Sequence, residues 1–471
     1  MDAAAERGDR LSDGIIGQGR SVLTTLALGL GVFLIQFDLT AVVVAMPAIA
    51  KDVGFGVAGF AWVIDAYSLA LTGALLASGA LADRFGRRRC MLAGNAVFLV
   101  ASLACGVASS GPTLLAARVI QGIGAAFVIT GATALVASAF PNAAQRARAF
   151  GVIGVISGIA MALGPTLGGF LASWLGWRWI FFANIPFCAA LAIGVPQLVA
   201  DSNGSEARPI DSVAIVLLTI SLGLAIDALL RRDGSLAVRA ASIAGSASAA
   251  FLFGWQQWRN PNPLLDPRVF KTSAMAGVGA LLTTIQFGYW AVLVYLPLFL
   301  ITGLHVTMEV AGVALLAATL PMLLVPLIGG RLVTYWGWRH LFTFAFGLIA
   351  IGDVLLVIAA LSSGPAIHLS ATIFGMATIG VGAALVNPQM SGAVLALTPP
   401  AQLGMASAVT MIARQAGFAI SVAVLGAMLG AVDATAAFAK PFTLAAIMAL
   451  LGTTAALTLI PAKSTQHSAS H

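Results

Sequence analysis

The sequence predicts an all-α membrane protein with fourteen transmembrane helices in a six plus two plus six arrangement, and three observations carry that prediction. Of its 471 residues, 60% are hydrophobic and only 9% charged, and mean hydropathy is +0.99. That leaves too few polar side chains to cover a water-soluble globule of this length. The apolar runs approach twenty residues, enough for an α-helix to cross a ~30 Å hydrocarbon core with its backbone groups satisfied internally, and the shorter alternating strands of a β-barrel are absent. A charged, glycine-punctuated loop at residues 79 to 89 has a weaker copy 251 positions later, where Gly330, Leu332, Gly337 and Arg339 stand in for Gly79, Leu81, Gly86 and Arg88. A hinge repeated at matching places in two membrane halves suits a two-domain rocking carrier.

The first twenty residues are polar and mixed in charge, without the short apolar core and small-residue site of a cleaved signal peptide, so the first span, 22 to 46, directs insertion. Span 58 to 81 runs into the charged loop and span 90 to 109 leaves it. Span 113 to 136 contains Gly122-Ile123-Gly124-Ala125-Ala126, which recurs as Gly380-Val381-Gly382-Ala383-Ala384 in span 366 to 390; Pro141 and Pro399 keep that offset. These echoes argue for duplication of a six-helix unit. Span 148 to 171 carries Gly164-Pro165-Thr166-Leu167-Gly168-Gly169, and span 178 to 198 follows Trp177 and ends before a polar linker, Asp201 to Asp211. Two extra spans, 212 to 230 and 237 to 257, lie between the halves. A segment from Arg259 to Thr272 follows, with Asn260-Pro261-Asn262-Pro263 as a helix stop and Leu264 to Lys271 able to lie amphipathically at the interface. Spans 274 to 301, 309 to 332, 340 to 361, 404 to 430 and 440 to 461 complete the second half with 366 to 390. The expected organisation is therefore a tail at 1 to 21, a bundle at 22 to 199, a linker with two extra helices at 200 to 273, a bundle at 274 to 462 and a tail at 463 to 471.

Alternate loops differ in charge, and positive residues in short loops stay in the cytoplasm. One set holds Arg7, Arg10, Arg20, Arg84, Arg87, Arg88, Arg89, Arg146, Arg148, Arg208, Arg259, Arg268, Lys271, Arg331, Arg339 and Lys463; the other holds only Lys51, Arg178, Arg231, Arg232, Arg239 and Lys440. Both termini and the loop at Asp83 are thus expected on the cytoplasmic face. The asymmetry accounts for the net charge of +7, so anionic lipid headgroups are the expected partner and nucleic acid is not. Cys90, Cys105 and Cys188 lack metal-ligand spacing and read as packing residues; no metal or cofactor is expected.

Several polar residues fall where apolar ones belong. Asp38 lies inside the first span, at a cost of about 2.5 to 3.5 kcal/mol on insertion scales, so it should face a cavity or a partner. Arg118 in the fourth span lies at a depth from which an extended guanidinium can reach Asp38, at ~1.5 Å of helix rise per residue, and Asp65 sits in the same outer half on the second span. Two carboxylates tuned by an arginine form the expected proton-coupling constellation. A structural aspartate bonded to backbone or to Arg118 is the other reading of Asp38. In the loop, Gly79, Asp83, Arg84, Gly86, Arg87 and Arg88 form the expected conformational gate. Arginines alone would anchor topology, but anchoring requires neither the glycines nor the acid.

These residues resemble the major facilitator superfamily, and within it the fourteen-span drug:proton antiporters that include quaternary-ammonium and methylenomycin exporters. The resemblance runs from about residue 30 to residue 430. It rests on Gln36-Phe37-Asp38-Leu39-Thr40 with Met46-Pro47, the loop at 79 to 89, Arg118-Val119-Ile120-Gln121-Gly122, the glycine-rich stretch at 164 to 169 and Trp177 to Pro186. It implies a gating role for the loop, a proton-coupling role for Arg118, and, through Gly164, Pro165, Gly168 and Gly169, an exporter rather than an importer. It also implies a bacterial inner-membrane location and the proton as coupling ion. A monomer is expected.

The chain departs from the pattern in places. Thr334 replaces Asp83 in the second loop, so only one half carries the full charge switch. Asp227 and Asp353 fall inside spans without matching a motif; Asp353 could be a second proton or cation site. Arg414-Gln415 resembles a family pair, with Asp353 one candidate partner for the arginine. Gln36, Phe287, Tyr289, Trp290, Asn387, Gln389 and Arg414 are the expected lining of a substrate cavity; Met390 ends the same span as Asn387 and Gln389, and aromatic and thioether groups suit a promiscuous apolar site. The expected function is proton-driven export of hydrophobic drugs or antibiotics. An uptake symporter for a metabolite is the alternative, a non-transporting sensor a weaker one. An enzyme is not expected, because the five histidines form no H-E-x-x-H pattern and no nucleophile constellation is evident.

Overall fold

The computed structural model describes residues 2–54, 57–140, 142–201, 211–230, 235–260, 273–362, 365–397, 403–429 and 435–461, in backbone only at 2–20, 57, 58, 76, 143, 144, 147, 273, 274, 327, 328, 330, 365, 366, 391, 395–397, 403–409, 411 and 412. The tail at 463–471, most of the linker at 202–210, Arg231, Arg232, Pro399 and the Arg268–Lys271 stretch therefore lie outside the described residues, and of the tail at 1–21 residues 2–20 are described in backbone only.

Every regular element among the described residues is a helix. In chain order they are α1 (Ser21–Val53), α2 (Gly59–Leu75 and Ala77–Phe85, bent by 47°), α3 (Arg87–Gly106), α4 (Gly111–Ala139), α5 (Arg148–Trp174), α6 (Arg178–Leu198), α7 (Ser212–Leu230) and α8 (Leu236–Arg259). They continue with α9 (Met275–Gly303), α10 (Met308–Leu324), α11 (Arg331–Leu361), α12 (Ile367–Val394), α13 (Ala413–Met428) and α14 (Thr435–Leu459). Eleven are long and apolar enough to cross a membrane, twelve if the bent pair of α2 counts as one; α10 and α13 are shorter apolar helices at the expected spans 309 to 332 and 404 to 430. Large apolar residues such as Phe251 and Trp258 stay exposed on the outside, which suits lipid rather than water.

Within α1 to α6, α1 packs on α5 and α6, α3 on α4, and α2 on α4; within α9 to α14, α11 packs on α12 and α14, and α9 on α13 and α14. Helices α7 and α8 pair with each other, and α7 lies beside both α2 and α13. Asp211 begins α7 by accepting the Ala214 N–H at 3.0 Å, a helix-capping bond.

The internal repeat is visible in the backbone. Gly86, between α2 and α3, and Gly337, at a kink within α11, stand at matching places in the repeat, and both take positive φ, +100° and +73°. Only glycine tolerates these values with extended ψ, because a β-carbon would clash with its own backbone. The second echo is a pair of equivalent helix crossings. A β-carbon at Gly122 would meet the Tyr67 carbonyl on α2, and one at Gly380 the Ala318 carbonyl on α10. Likewise Gly124 abuts Phe98 on α3, and Gly382 abuts Ala345 on α11. Small residues at matching positions let helix backbones approach where lipid offers no hydrophobic drive to pack.

Candidate functional site

Four helices converge on Asp38, whose side chain is fully buried. Arg118 of α4, also fully buried, donates from Nη1 to Asp38 Oδ2 at 2.7 Å. Oδ1 accepts from Gln121 Nε2 at 2.9 Å and from Asn184 Nδ2 at 2.8 Å. Gln121 stands three residues beyond Arg118, hence on the same face of α4, and its Oε1 takes a second bond from Arg118 at 2.7 Å. Ser102 of α3 accepts from both amides, at 3.2 and 2.9 Å, and donates to the Phe181 carbonyl at 3.0 Å. The guanidinium lies over the Tyr67 ring, 4.2 Å from its centroid, and its Nε donates to the Val63 carbonyl at 3.2 Å. The Arg118 Nη2 and the Tyr67 hydroxyl have no partner among the described residues. An ion pair with three donors on the carboxylate is the form in which a buried charge is tolerable.

The expected trio does not close. Asp65 is fully buried, yet neither of its oxygens has a hydrogen-bond partner among the described residues, and Arg118 reaches the backbone of Val63 instead. Sequence reasoning singled out Asp38 and Arg118 but assigned no role to Ser102, Gln121 or Asn184. Gln121 and Asn184 lie inside the quoted stretches 118 to 122 and 177 to 186, which was the available signal.

Asp353 of α11 is the second buried carboxyl without a partner among the described residues. It does not pair with Arg414, whose Nη2 reaches Asn387 Oδ1 at 3.4 Å. Trp290 Nε1 donates to the same Asn387 oxygen at 3.3 Å, so three expected cavity residues come together. Asp227 is satisfied within the α7–α8 pair, where the Ser242 hydroxyl donates to it at 2.8 Å.

An apolar cleft lies between α1, α5, α9, α10 and α13, lined by Leu39, Thr40, Val43, Pro165, Trp290, Leu293, Val294, Leu315 and Phe418. Trp290 is the one expected lining residue there. Tyr289 is fully buried and donates to the Ala318 carbonyl at 3.2 Å, Phe287 is buried, and Gln389 lies against Gly329. The Gln36 carbonyl accepts the Thr40 hydroxyl at 2.7 Å. Consecutive residues of a helix spread around its axis, so a cluster in sequence cannot all face one cleft.

In the loop, Asp83 pairs with Arg87 at 3.0 Å, and Arg84 lies 5.3 Å from the Phe85 ring centroid. The larger tether comes from a residue without an expected gating role. Asp201, just after α6, accepts the Arg88 N–H at 3.1 Å and pairs with Arg89 Nε at 3.1 Å. Arg88 Nη1 adds bonds to the Pro196 and Val199 carbonyls, at 3.2 and 3.0 Å, on the last turn of the same helix. In the second copy the Thr334 hydroxyl donates to the Arg331 carbonyl, and no carboxylate is involved.

The glycines of α5 are crossing points. Gly164 abuts Thr40, and a β-carbon at Gly168 would stand 2.5 Å from the Ala41 carbonyl, so both let α1 approach. Gly169 faces α10, with the Met308 carbonyl 2.6 Å from its β-carbon position and Gly312 at 3.4 Å. Thr166 donates to the Gly312 carbonyl at 2.9 Å. Further contact on the same face, away from the charged loop, comes from Phe60 of α2 stacked on Tyr295 of α9, ring centroids 5.6 Å apart.

Crossed helices, a buried ion pair and an apolar cleft at the seam of two repeated bundles define a polytopic α-helical membrane transporter. The chain belongs to the Major Facilitator Superfamily, whose sequence profile matches residues 28–421. It is 32% identical over 413 residues to the multidrug resistance protein Stp of Mycobacterium tuberculosis, covering 87% of this chain and 76% of that one. It is 29% identical over 418 residues to the methylenomycin A resistance protein of Bacillus subtilis, covering 87% and 88%. The drug efflux pump JefA of Mycobacterium tuberculosis is 28% identical over 416 residues, covering 88% and 81%. Among solved structures, a D-xylose–proton symporter matches with TM-score 0.67 at 16% identity over 94% of this chain and 98% of that chain. The peptide transporter POT matches with TM-score 0.68 at 14% identity over 92% and 94%. At such identities these likenesses speak to fold alone.

Proposed function

We propose that this chain exports hydrophobic drugs or antibiotics across the plasma membrane in exchange for protons, by alternating access between bundles 22–199 and 274–462 and without chemical conversion of its cargo. It does so as a monomer with fourteen spans, the 200–273 segment contributing two of them and both tails lying in the cytoplasm. The drug-resistance and efflux names of its relatives support the substrate class and the direction.

One observation carries the coupling. Asp38 holds the Arg118 cluster while Leu39 and Thr40, its immediate successors on α1, line the apolar cleft. A proton on Asp38 removes half of that ion pair and frees Arg118, so α1 no longer has the same partners on α4 and α6. Any tilt that follows reshapes the cleft wall at Leu39 and Thr40, and a drug bound there feels the proton. Inward proton flow supplies ~2.3 kcal/mol per charge per 100 mV and ~1.4 kcal/mol per pH unit. The tether of loop 79–89 to the end of α6 supplies the gate on the cytoplasmic face, and anionic headgroups screen its exposed arginines.

Everted vesicles from cells expressing the full chain test this reading with ethidium as the probe. Acidifying the lumen should drive dye inward, a protonophore should stop it, and Asp38→Asn should abolish it. Dye uptake that survives the protonophore, or is unchanged in Asp38→Asn, removes the coupling assignment.

A further inference from the structure

The turn of α9 from Gln286 to Ala291 is π-helical, and three of its side chains reach three different helices. The Gln286 amide donates to the Arg414 carbonyl on α13, Tyr289 to Ala318 on α10, and Trp290 to Asn387 on α12 while also lining the cleft. Gly288 faces α11 and α14: a β-carbon there would lie 3.5 Å from Asp353 Oδ2, 2.8 Å from Ile349 and 3.4 Å from Ala449. A π turn interrupts helical regularity and is frequent at functional sites.

Asp353 sits against this turn with no exposed surface and no partner for either oxygen among the described residues. Among the described residues, the surrounding helices bring it no counter-charge. On α9, the Tyr289 and Tyr295 hydroxyls are committed to the Ala318 and Val422 carbonyls. Glu309 lies in the first turn of α10, His368 in the first turn of α12, and Lys440 is exposed near the start of α14. Arg414 of α13 bonds to Asn387. A bare carboxylate among Ile349 and Ala449 is among the costliest arrangements a membrane interior can hold, whereas a neutral carboxylic acid is tolerable there.

We propose that Asp353 is a second proton-carrying site, separate from the Asp38 cluster and linked to the drug cleft through the Gln286–Ala291 turn. This rests on the proton-driven reading above. A proton from water on one side of the membrane adds to a carboxylate oxygen, and the resulting acid is the form that the packed arrangement accommodates. Release of that proton to water on the other side restores the carboxylate, whose charge cannot stay against Ile349 and Ala449. The π turn must then shift and admit water, and Trp290 moves with it. Only an O–H bond forms and breaks.

The test uses the purified full chain in lipid nanodiscs without any drug. Infrared difference spectra between acid and alkaline buffer should contain a titrating protonated-carboxyl band that Asp353→Asn loses and Asp38→Asn keeps. Asp353→Glu should retain a titrating band at a shifted frequency, which covers the case in which the asparagine variant fails to fold. Tryptophan emission should change with pH in the wild type and lose part of that change in both Asp353→Asn and Trp290→Phe. Identical carboxyl bands in wild type and Asp353→Asn, a band that follows sodium at fixed pH, or an emission change untouched by either variant overturns the proposal. Because no drug is present, a lost band alongside absent dye transport sinks only the export reading. An unchanged band alongside intact dye transport sinks only the second site.

Discussion

The carboxylate of Asp201 occupies the space that a side chain on Gly86 would need, its oxygens 2.8 and 2.9 Å from the β-carbon position. Gly86 also has φ +100°, so the residue is glycine for two separate reasons. The approach lets Asp201 reach both the Arg88 N–H and the Arg89 guanidinium, which ties the loop between α2 and α3 to the end of α6.

Gly86→Ala should therefore lower the melting temperature far more than Gly79→Ala. The first forces a backbone conformation costing about 1 to 3 kcal/mol and displaces Asp201. The second places its β-carbon 3.8 Å from Thr130, an ordinary contact. Thermal unfolding of the detergent-solubilised chain measures both, and equal shifts would refute the account.

Arg118→Met should destabilise the fold by roughly 3 to 5 kcal/mol, because it leaves Asp38 charged and without its counter-ion. Combining it with Asp38→Asn should restore part of that loss, since both charges are then gone. A double-mutant cycle in denaturant tests the coupling; additivity within about 0.5 kcal/mol would mean that the pair is not coupled.

At the crossing of α5 and α10, Gly169→Val should push the two helices apart on the face opposite the charged loop. A thiol introduced by Phe60→Cys, shielded where Phe60 meets Tyr295, should then label roughly tenfold faster, about 1.4 kcal/mol in opening equilibrium. Gly151→Val, where a β-carbon would meet open space, is the control and should leave labelling unchanged. Unchanged labelling in Gly169→Val would show that this crossing does not hold the face closed.

Asp83→Asn should slow ethidium export while barely moving the melting temperature, because its pair with Arg87 is a partly exposed i,i+4 contact worth about 0.3 to 0.5 kcal/mol. Thr334→Ala removes only a hydroxyl bonded within its own turn and should leave both quantities near wild type. Equal export rates in the two variants would count against an asymmetric gate.

The repeat was legible because glycine at positive φ and glycine at a helix crossing are local requirements, so Gly86, Gly337, Gly122 and Gly380 carry their structural reasons in the sequence. Asp38 and Arg118 were legible because a charge inside an apolar span must find a partner. The cleft was less so: the aromatic cluster on α9 pointed to it through Trp290, but the turn sends Tyr289 toward α10, and the apolar lining of Leu293, Val294 and Phe418 looks like any membrane helix.

The amino-acid sequence by itself determined that this chain crosses a membrane many times, that its two halves repeat, and which buried charges needed partners. Hydropathy and backbone constraint act over one helix or one turn, so a single strand of text records them. Only the tertiary structure decided that Asp38 takes Arg118 from 80 positions away while Asp65 and Asp353 take no partner among the described residues. It also decided that Asp201 clamps the loop and that Gly169 meets Gly312. Those choices depend on how each helix is rotated and tilted against its neighbours, which packing sets and span length does not.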